Sequence, residues 1–191
     1  NMYWWHALDL HPDVEIHETR HEGTALSMAE GWARATGQPG ICMVTRGPGI
    51  TNASIGIHTA MQDSAPMVVF VGQVGTDMKG REAFQEIDYR AVFGTMAKWA
   101  TEIDDVGRIP EILARAWVTA TTGRPGPVVI ALPEDMLIER AIVPDAPASQ
   151  PIETWPGLTD MAQLQKMLWA ARRPLMILGG SRWSEKAWAA T

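Results

Sequence analysis

Glu22 is the residue of this sequence best placed to do acid–base chemistry, because it stands between two different backbone patterns. Before it, Val14 and Ile16 alternate with charged or polar neighbours, which is typical of a strand. After it, Gly23 leads into a run of alanine, methionine and leucine that favours a helix. Glu22 is therefore predicted at the carboxyl end of a strand, where open α/β sheets bind their ligands.

A second junction of the same kind follows the apolar run 41–45. It consists of Gly47, Pro48 and Gly49; glycine permits tight backbone geometry, and proline suits the first turn of a helix. Because the carboxyl ends of parallel strands share one edge of a sheet, the two junctions are expected to face one crevice. One junction would supply an acid, and the other a wall with almost no side chains.

Strand and helix patterns alternate along the chain with short connections, which predicts a parallel sheet with crossover helices. A proline-rich segment at 133–157 marks a domain boundary between residues 1–132 and 158–191. The predicted strands are 14–17, 41–45, 67–71, 99–103, 127–132 and 174–178. The predicted helices are 2–8, 23–35, 48–61, 87–93, 106–121 and 158–171, with another at the end of the chain.

Seven short motifs strengthen this interpretation because they keep one order over roughly residues 15 to 135. They are RHEG at 20–23, MAEGWARATG at 28–37, GPGITN at 47–52, DSAP at 63–66, GQV at 72–74, AFQE at 83–86 and TGRPGPV at 122–128. In this order they resemble the pyrimidine-binding domain of thiamine-diphosphate enzymes of the acetolactate synthase type. The resemblance implies an α/β fold, an open and mostly parallel sheet with helices on both faces. Residues 158–191 would then be the opening βα unit of a central domain.

The resemblance also implies a catalytic role for Glu22. In this family the glutamate at that position hydrogen-bonds a ring nitrogen of the cofactor's aminopyrimidine and favours the tautomer that removes the thiazolium C2 proton. Burial among apolar groups raises the pKa of a glutamate, which suits a carboxyl that must share a proton near neutral pH. The simpler alternative is an acid in the first turn of a helix, stabilised by the helix dipole by about 0.3 to 1 kcal/mol.

Other site residues are carried over from the resemblance in the same way. The cofactor wall would be built by Thr45, Gly47, Pro48, Gly49 and Asn52. Phe84 and Gln85 match positions beside the reacting centre and are candidates for the substrate pocket. Arg124 matches the arginine that contacts FAD in those members that retain a flavin. Arg46 departs from the small residue that is common at its position in the family.

The resemblance implies partners that this chain does not contain. Mg2+ and the diphosphate would be held by a Gly-Asp-Gly motif and a later asparagine of a second domain, and no Gly-Asp-Gly occurs here. A strand and a glycine-rich loop would precede residue 1, so the chain is expected to be truncated at its start. A second full-length copy, in a homodimer or tetramer, would complete the site for a small 2-oxo acid. The fragment alone is therefore expected to have half a site and no turnover.

Three competing interpretations remain open at this point. His17-Glu18-Thr19-Arg20-His21 matches the HExxH signature of zinc hydrolases, but that motif needs a helix and this segment has an extended pattern. The junction at 47–49 could be a plain tight turn, or a phosphate-binding helix start without the full glycine pattern. The whole surface could also serve as a non-catalytic α/β module for subunit association.

Composition excludes several classes of protein. The 191 residues are 46% hydrophobic and 20% charged, which is typical of a globular domain. The net charge of -6 argues against a nucleic-acid surface. The single cysteine, Cys42, lies in an apolar run and is predicted to be a buried, unreactive thiol. We find no segment long enough for a membrane span and no leader, so a cytoplasmic protein is expected.

Overall fold

The computed structural model describes residues 2–148, 150–180 and 183–190 of the chain. Asn1, Ser149, Ser181, Arg182 and Thr191, which fall in the predicted segments 1–132, 133–157 and 158–191, lie outside the described residues. The strands are β1 (Gly40–Val44), β2 (Met67–Gln73), β3 (Trp99–Glu102) and β4 (Pro127–Pro133). The helices are α1 (Met2–Asp9), α2 (Glu22–Thr36), α3 (Pro48–Asp63), α4 (Tyr89–Phe93), α5 (Ile109–Thr121), α6 (Leu158–Ala170) and α7 (Glu185–Ala189).

The four strands form one open, all-parallel sheet in the order β1-β2-β4-β3. Every residue of β4 is buried, as are all residues of β2 except the half-buried Gly72, because helices cover both faces. One core joins α2, α3 and α4 to the sheet, and the other joins α5 to the opposite face. This architecture confirms the predicted α/β fold with helices on both faces.

Helices α2 and α3 pack side by side at very short range, and this contact aligns the two junctions. A Cβ atom added to Gly56 of α3 would lie 2.5 Å from Cβ of Leu26, so only glycine allows the approach. Leu26 is completely buried beneath the helix pair. Helix α3 connects the parallel strands β1 and β2 and starts after the carboxyl end of β1, whereas α2 leads into the amino end of β1. Asn52 in the first turns of α3 reaches Glu22 at the start of α2. The amino ends of α2 and α3 therefore lie next to each other.

Most predicted elements are confirmed, with small differences at their ends. Gly37 follows α2 with φ of 71° and donates its backbone N–H to Ala33, as expected for a residue that terminates a helix. The predicted helix 106–121 begins only at Ile109, because a short 3-10 turn occupies Val106–Arg108 and precedes Pro110 in the first helical turn.

Two predicted strands are wrong. Residues 14–17 and 174–178 have extended or irregular backbone but pair with no strand in the described part of the chain. Val14 is 45% exposed and Ile177 is 87% exposed, so the apolar alternation has no neighbouring surface to cover. A strand exists only where another strand accepts its hydrogen bonds, and sequence pattern alone does not supply that partner. The segment 158–180 keeps its side chains exposed throughout.

Candidate functional site

Glu22 is the first residue of α2, and the local sequence explains why the helix begins there. His21 adopts extended backbone angles, and its Nδ1 accepts a hydrogen bond of 3.1 Å from the backbone N–H of Gly23. This side chain therefore satisfies one of the free N–H groups at the helix start. Glu22 itself is half-buried. The helix start was predicted correctly, although no strand precedes it.

The carboxylate of Glu22 faces the start of α3. Its Oε2 accepts a hydrogen bond of 3.3 Å from Nδ2 of Asn52. Its Oε1 lies 3.5 Å from the point that a Cβ of Gly49 would occupy, and Cγ2 of Thr45 lies only 2.6 Å from the same point. Glycine is thus required at position 49, and the wall opposite the acid is flat. The structure brings together four of the predicted residues at one corner.

Gly47 is held in place by a tyrosine that the sequence analysis did not identify. The Tyr89 hydroxyl accepts a hydrogen bond of 3.3 Å from the backbone N–H of Gly47 and donates one of 2.7 Å to the carbonyl of Gly72. Burial raises the pKa of Tyr89 to about 12, which keeps the hydroxyl protonated and able to donate. The sequence did offer one indication of this role: Tyr89 lies in a short predicted helix, and a buried tyrosine hydroxyl usually needs a polar partner.

A cavity of about 210 Å³ opens beside this corner, at the carboxyl ends of β1, β2 and β4. Gln85 lines it and has φ of 66°, a left-handed conformation that is uncommon outside glycine. The backbone carbonyl of Gln85 would lie 2.7 Å from a Cβ at Gly47, so the loop that carries Gln85 packs closely against Gly47. The lining residues are Thr45, Arg46, Gly72, Gln73, Gln85, Leu132, Glu134 and Leu137.

The remaining predicted residues lie in different places. Phe84 neighbours Gln85 but points outward, with 79% of its surface exposed. Pro48 is exposed in the first turn of α3. Arg124 lies at the far end of α3, where its guanidinium donates hydrogen bonds of 2.9 Å to the carbonyls of Met61 and Gln62. Arg124 therefore caps the carboxyl end of that helix, and its contact with FAD stays a prediction.

The HExxH segment does not have the conformation of a zinc site. Residues 17–21 are not helical, so His17 and His21 do not share a helical face, and Nδ1 of His21 already caps α2. Within residues 2–148, 150–180 and 183–190, no group of three or more histidine, cysteine, aspartate or glutamate side chains is arranged to hold a metal ion.

Comparison with known proteins agrees with this geometry. Residues 1–92 match the family described as "Thiamine pyrophosphate enzyme, N-terminal TPP binding domain", TPP being another name for thiamine diphosphate. The chain is 39% identical over 175 residues to acetolactate synthase isozyme 3 large subunit of Escherichia coli (strain K12). It is 41% identical over 170 residues to a probable acetolactate synthase large subunit of Methanocaldococcus jannaschii.

Residues 1–92 therefore match the N-terminal TPP binding domain of thiamine pyrophosphate enzymes, and the chain is similar to the corresponding part of acetolactate synthase large subunits. The alignments cover 84% and 85% of this chain but only 29% of each relative. A third relative, the acetolactate synthase large subunit of Buchnera aphidicola, is 48% identical over 124 residues, which is 65% of this chain and 22% of that protein. The chain thus spans less than a third of the length of these relatives. None of the helices described for it has the length and apolar character needed to cross a bilayer.

Proposed function

We propose that this chain is the cofactor-activating domain of an enzyme that decarboxylates a 2-oxo acid and transfers the resulting acyl group, with thiamine diphosphate as cofactor. The observation that carries the proposal is the half-buried Glu22 carboxylate opposite the glycine wall of α3. The match of residues 1–92 to a TPP-binding domain family supports the same conclusion independently.

The residues at the corner fit a flat heterocycle. A Cβ at position 49 would fill the space in front of Oε1 of Glu22, so the glycine leaves that space open. Asn52 donates to Oε2 and holds the carboxylate in one orientation, which leaves Oε1 to face the wall. A carboxyl group fixed in this way could share a proton with a ring nitrogen of the bound cofactor.

Thiamine diphosphate supplies the carbanion chemistry when it is bound. Glu22 would hold a proton at its Oε1 and exchange it with the aminopyrimidine, while Gly47 and Gly49 would contact the ring face. Gln85 would border the space in which the substrate lies, whereas a role for the exposed Phe84 in the substrate pocket stays a prediction. The Tyr89 hydroxyl holds the backbone of Gly47 through two hydrogen bonds and would thereby fix the wall that the cofactor contacts.

A second copy of the full-length chain, in a homodimer or tetramer, would complete the site. Supporting this, α2 and α3 expose large apolar side chains: Met28 is 48%, Trp32 is 59% and Ile55 is 68% exposed. A domain outside these residues would bind Mg2+ and the diphosphate, and the fragment alone would not turn over. FAD binding near Arg124 and a cytoplasmic location stay predictions.

The same exposed side chains favour the second candidate, a non-catalytic α/β module that uses α2 and α3 only for subunit association. This candidate needs the apolar surface of Trp32 but gives Glu22 no role beyond the helix start. Substitution of Glu22 therefore separates the two functions, because only the enzyme depends on its proton.

The test is Glu22→Gln in the full-length protein that contains this chain, assayed by calorimetry with thiamine diphosphate and Mg2+ and by turnover of pyruvate. We expect turnover to fall by about 10²- to 10⁴-fold, the range for loss of a general acid–base group. Glu18→Gln is the matched control, since Glu18 is an exposed acid four residues upstream and would be the base of a zinc hydrolase. Unchanged turnover in Glu22→Gln would refute the proposed function.

A further inference from the structure

The cavity beside the glycine corner contains an ion pair that crosses the end of the sheet. Arg46 follows the last residue of β1 by two positions, and Glu134 directly follows β4. Because β2 lies between these strands, the hydrogen bond of 3.0 Å from NH1 of Arg46 to Oε2 of Glu134 spans the carboxyl end of β2. Both side chains line the cavity of about 210 Å³.

Among the described residues that line this cavity, Arg46 alone is positively charged. Its side chain is 26% exposed, so most of the guanidinium and its stem are covered by protein. A guanidinium has five N–H donors in a fork that matches a carboxylate, and within the described residues only Glu134 accepts from it, through one oxygen. Donors therefore remain available to a second acid.

The pair with Glu134 is easily displaced. The side chain of Glu134 is 61% exposed, and a partly exposed ion pair contributes little to stability. Gln73, the neighbouring polar side chain, is already engaged, since it donates to the carbonyl of Ile87 and accepts from the N–H of Val74. Arg46, which keeps unused N–H donors beside its bond to Glu134, is consequently the group in the cavity that can bind an incoming anion.

The cavity adjoins the Glu22 corner through one shared residue. Thr45 lines the cavity, and its Cγ2 faces Gly49, beside which Oε1 of Glu22 lies. A molecule in the cavity would thus be adjacent to the acid across a single side chain. The volume is below the range for drug-sized ligands, so it suits a molecule of a few carbon atoms.

We propose that Arg46 binds the carboxylate of the small 2-oxo acid in this cavity, and that Glu134 holds the guanidinium there until the substrate replaces it. The inference rests on the proposed function and adds the residue that recognises the acid group. Arg46 would act as a specificity-determining residue through a two-point contact with the substrate carboxylate.

The first test measures KM for pyruvate in the full-length protein and its Arg46→Gln, Arg46→Lys and Glu134→Gln variants. Arg46→Gln should raise KM about 10- to 100-fold, the effect of losing a charged hydrogen bond, and should leave thiamine diphosphate affinity unchanged. Arg46→Lys should raise KM less, and Glu134→Gln should lower it. Methyl pyruvate, which has no carboxylate, should inhibit the wild type and Arg46→Gln equally.

Arg34→Gln is the matched control. NH1 of Arg34 pairs with Asp63 at 3.1 Å near the carboxyl end of α2, away from the cavity, so KM should not change. An unchanged KM for pyruvate in Arg46→Gln would overturn the inference. So would a loss of methyl pyruvate inhibition in Arg46→Gln that is as large as its rise in KM for pyruvate. If instead the wild type neither binds thiamine diphosphate nor loses turnover with Glu22→Gln, the proposed function fails separately.

A second measurement tests Arg46 without turnover. Phenylglyoxal labels accessible arginines, and peptide mass spectrometry of the labelled chain reads Arg46 and Arg34 in the same sample. Pyruvate should slow the labelling of Arg46 but not of Arg34. Labelling of Arg46 that is indifferent to pyruvate would contradict the inference, whatever the cofactor result.

Discussion

Adding one methyl group at Gly49 should separate the stability of this corner from its proposed cofactor binding. In Gly49→Ala the new Cβ would lie 2.6 Å from Cγ2 of Thr45, closer than carbon atoms approach in proteins. Overpacking of this kind costs about 1 to 3 kcal/mol of unfolding free energy. The helix-forming preference of alanine over glycine offsets at most about 1 kcal/mol in α3. We therefore expect a net loss of up to about 2 kcal/mol.

A second substitution removes the clash but leaves the methyl group in front of the acid. Thr45→Ser deletes Cγ2, so Gly49→Ala should cost little in that background. The new Cβ would still lie 3.5 Å from Oε1 of Glu22, an ordinary contact that occupies the space assigned to the cofactor ring. Stability should recover in the double variant, whereas affinity for thiamine diphosphate should not.

Stability is measured by urea unfolding of the 191-residue chain, followed by far-ultraviolet circular dichroism. Affinity is measured by calorimetry of the full-length protein with thiamine diphosphate and Mg2+. The four proteins of the cycle isolate the interaction of residues 45 and 49, because each change alone supplies its own reference. Wild-type cofactor affinity in Gly49→Ala would show that the glycine wall is not a binding surface, and a failed rescue by Thr45→Ser would refute the steric argument.

Two further predictions concern buried groups. Tyr89→Phe should lower the unfolding free energy by about 1 to 3 kcal/mol, because the N–H of Gly47 and the carbonyl of Gly72 lose their shared partner. Urea unfolding measures this difference. Burial raises the pKa of Tyr89 from 10.0 to about 12, so the hydroxyl stabilises the fold below pH 10.0 and loses this effect as pH rises through 12. Between pH 10 and pH 12 the unfolding free energy of the wild type should therefore fall more steeply than that of Tyr89→Phe. Parallel plots of unfolding free energy against pH would contradict the argument. Burial also raises the pKa of the Cys42 thiol to about 12, so Ellman's reagent at pH 8 should label it only after unfolding; rapid labelling of the folded chain would show an exposed thiol.

The site residues that could be predicted from sequence are those whose position follows from the residues next to them in the chain. Glu22 and the residues 47–49 were found because each lies at a change of backbone pattern, and the structure brings them together at the starts of α2 and α3. Phe84 and Gln85 came from motif order, and only Gln85 lines the cavity. Tyr89 was missed because its hydroxyl bonds backbone groups 42 and 17 residues away.

The sequence by itself determined the helices and, to within a few residues, where they begin and end, because apolar spacing, glycine and proline act on backbone within a few residues. Only the tertiary structure decided which apolar runs become strands: 127–133 pairs on both sides within the sheet, whereas 14–17 and 174–178 have no partner. It also decided that Arg46 meets Glu134, a contact across 88 residues. Hydrogen bonds and packing need a partner in space, and that partner is set by the arrangement of the whole sheet.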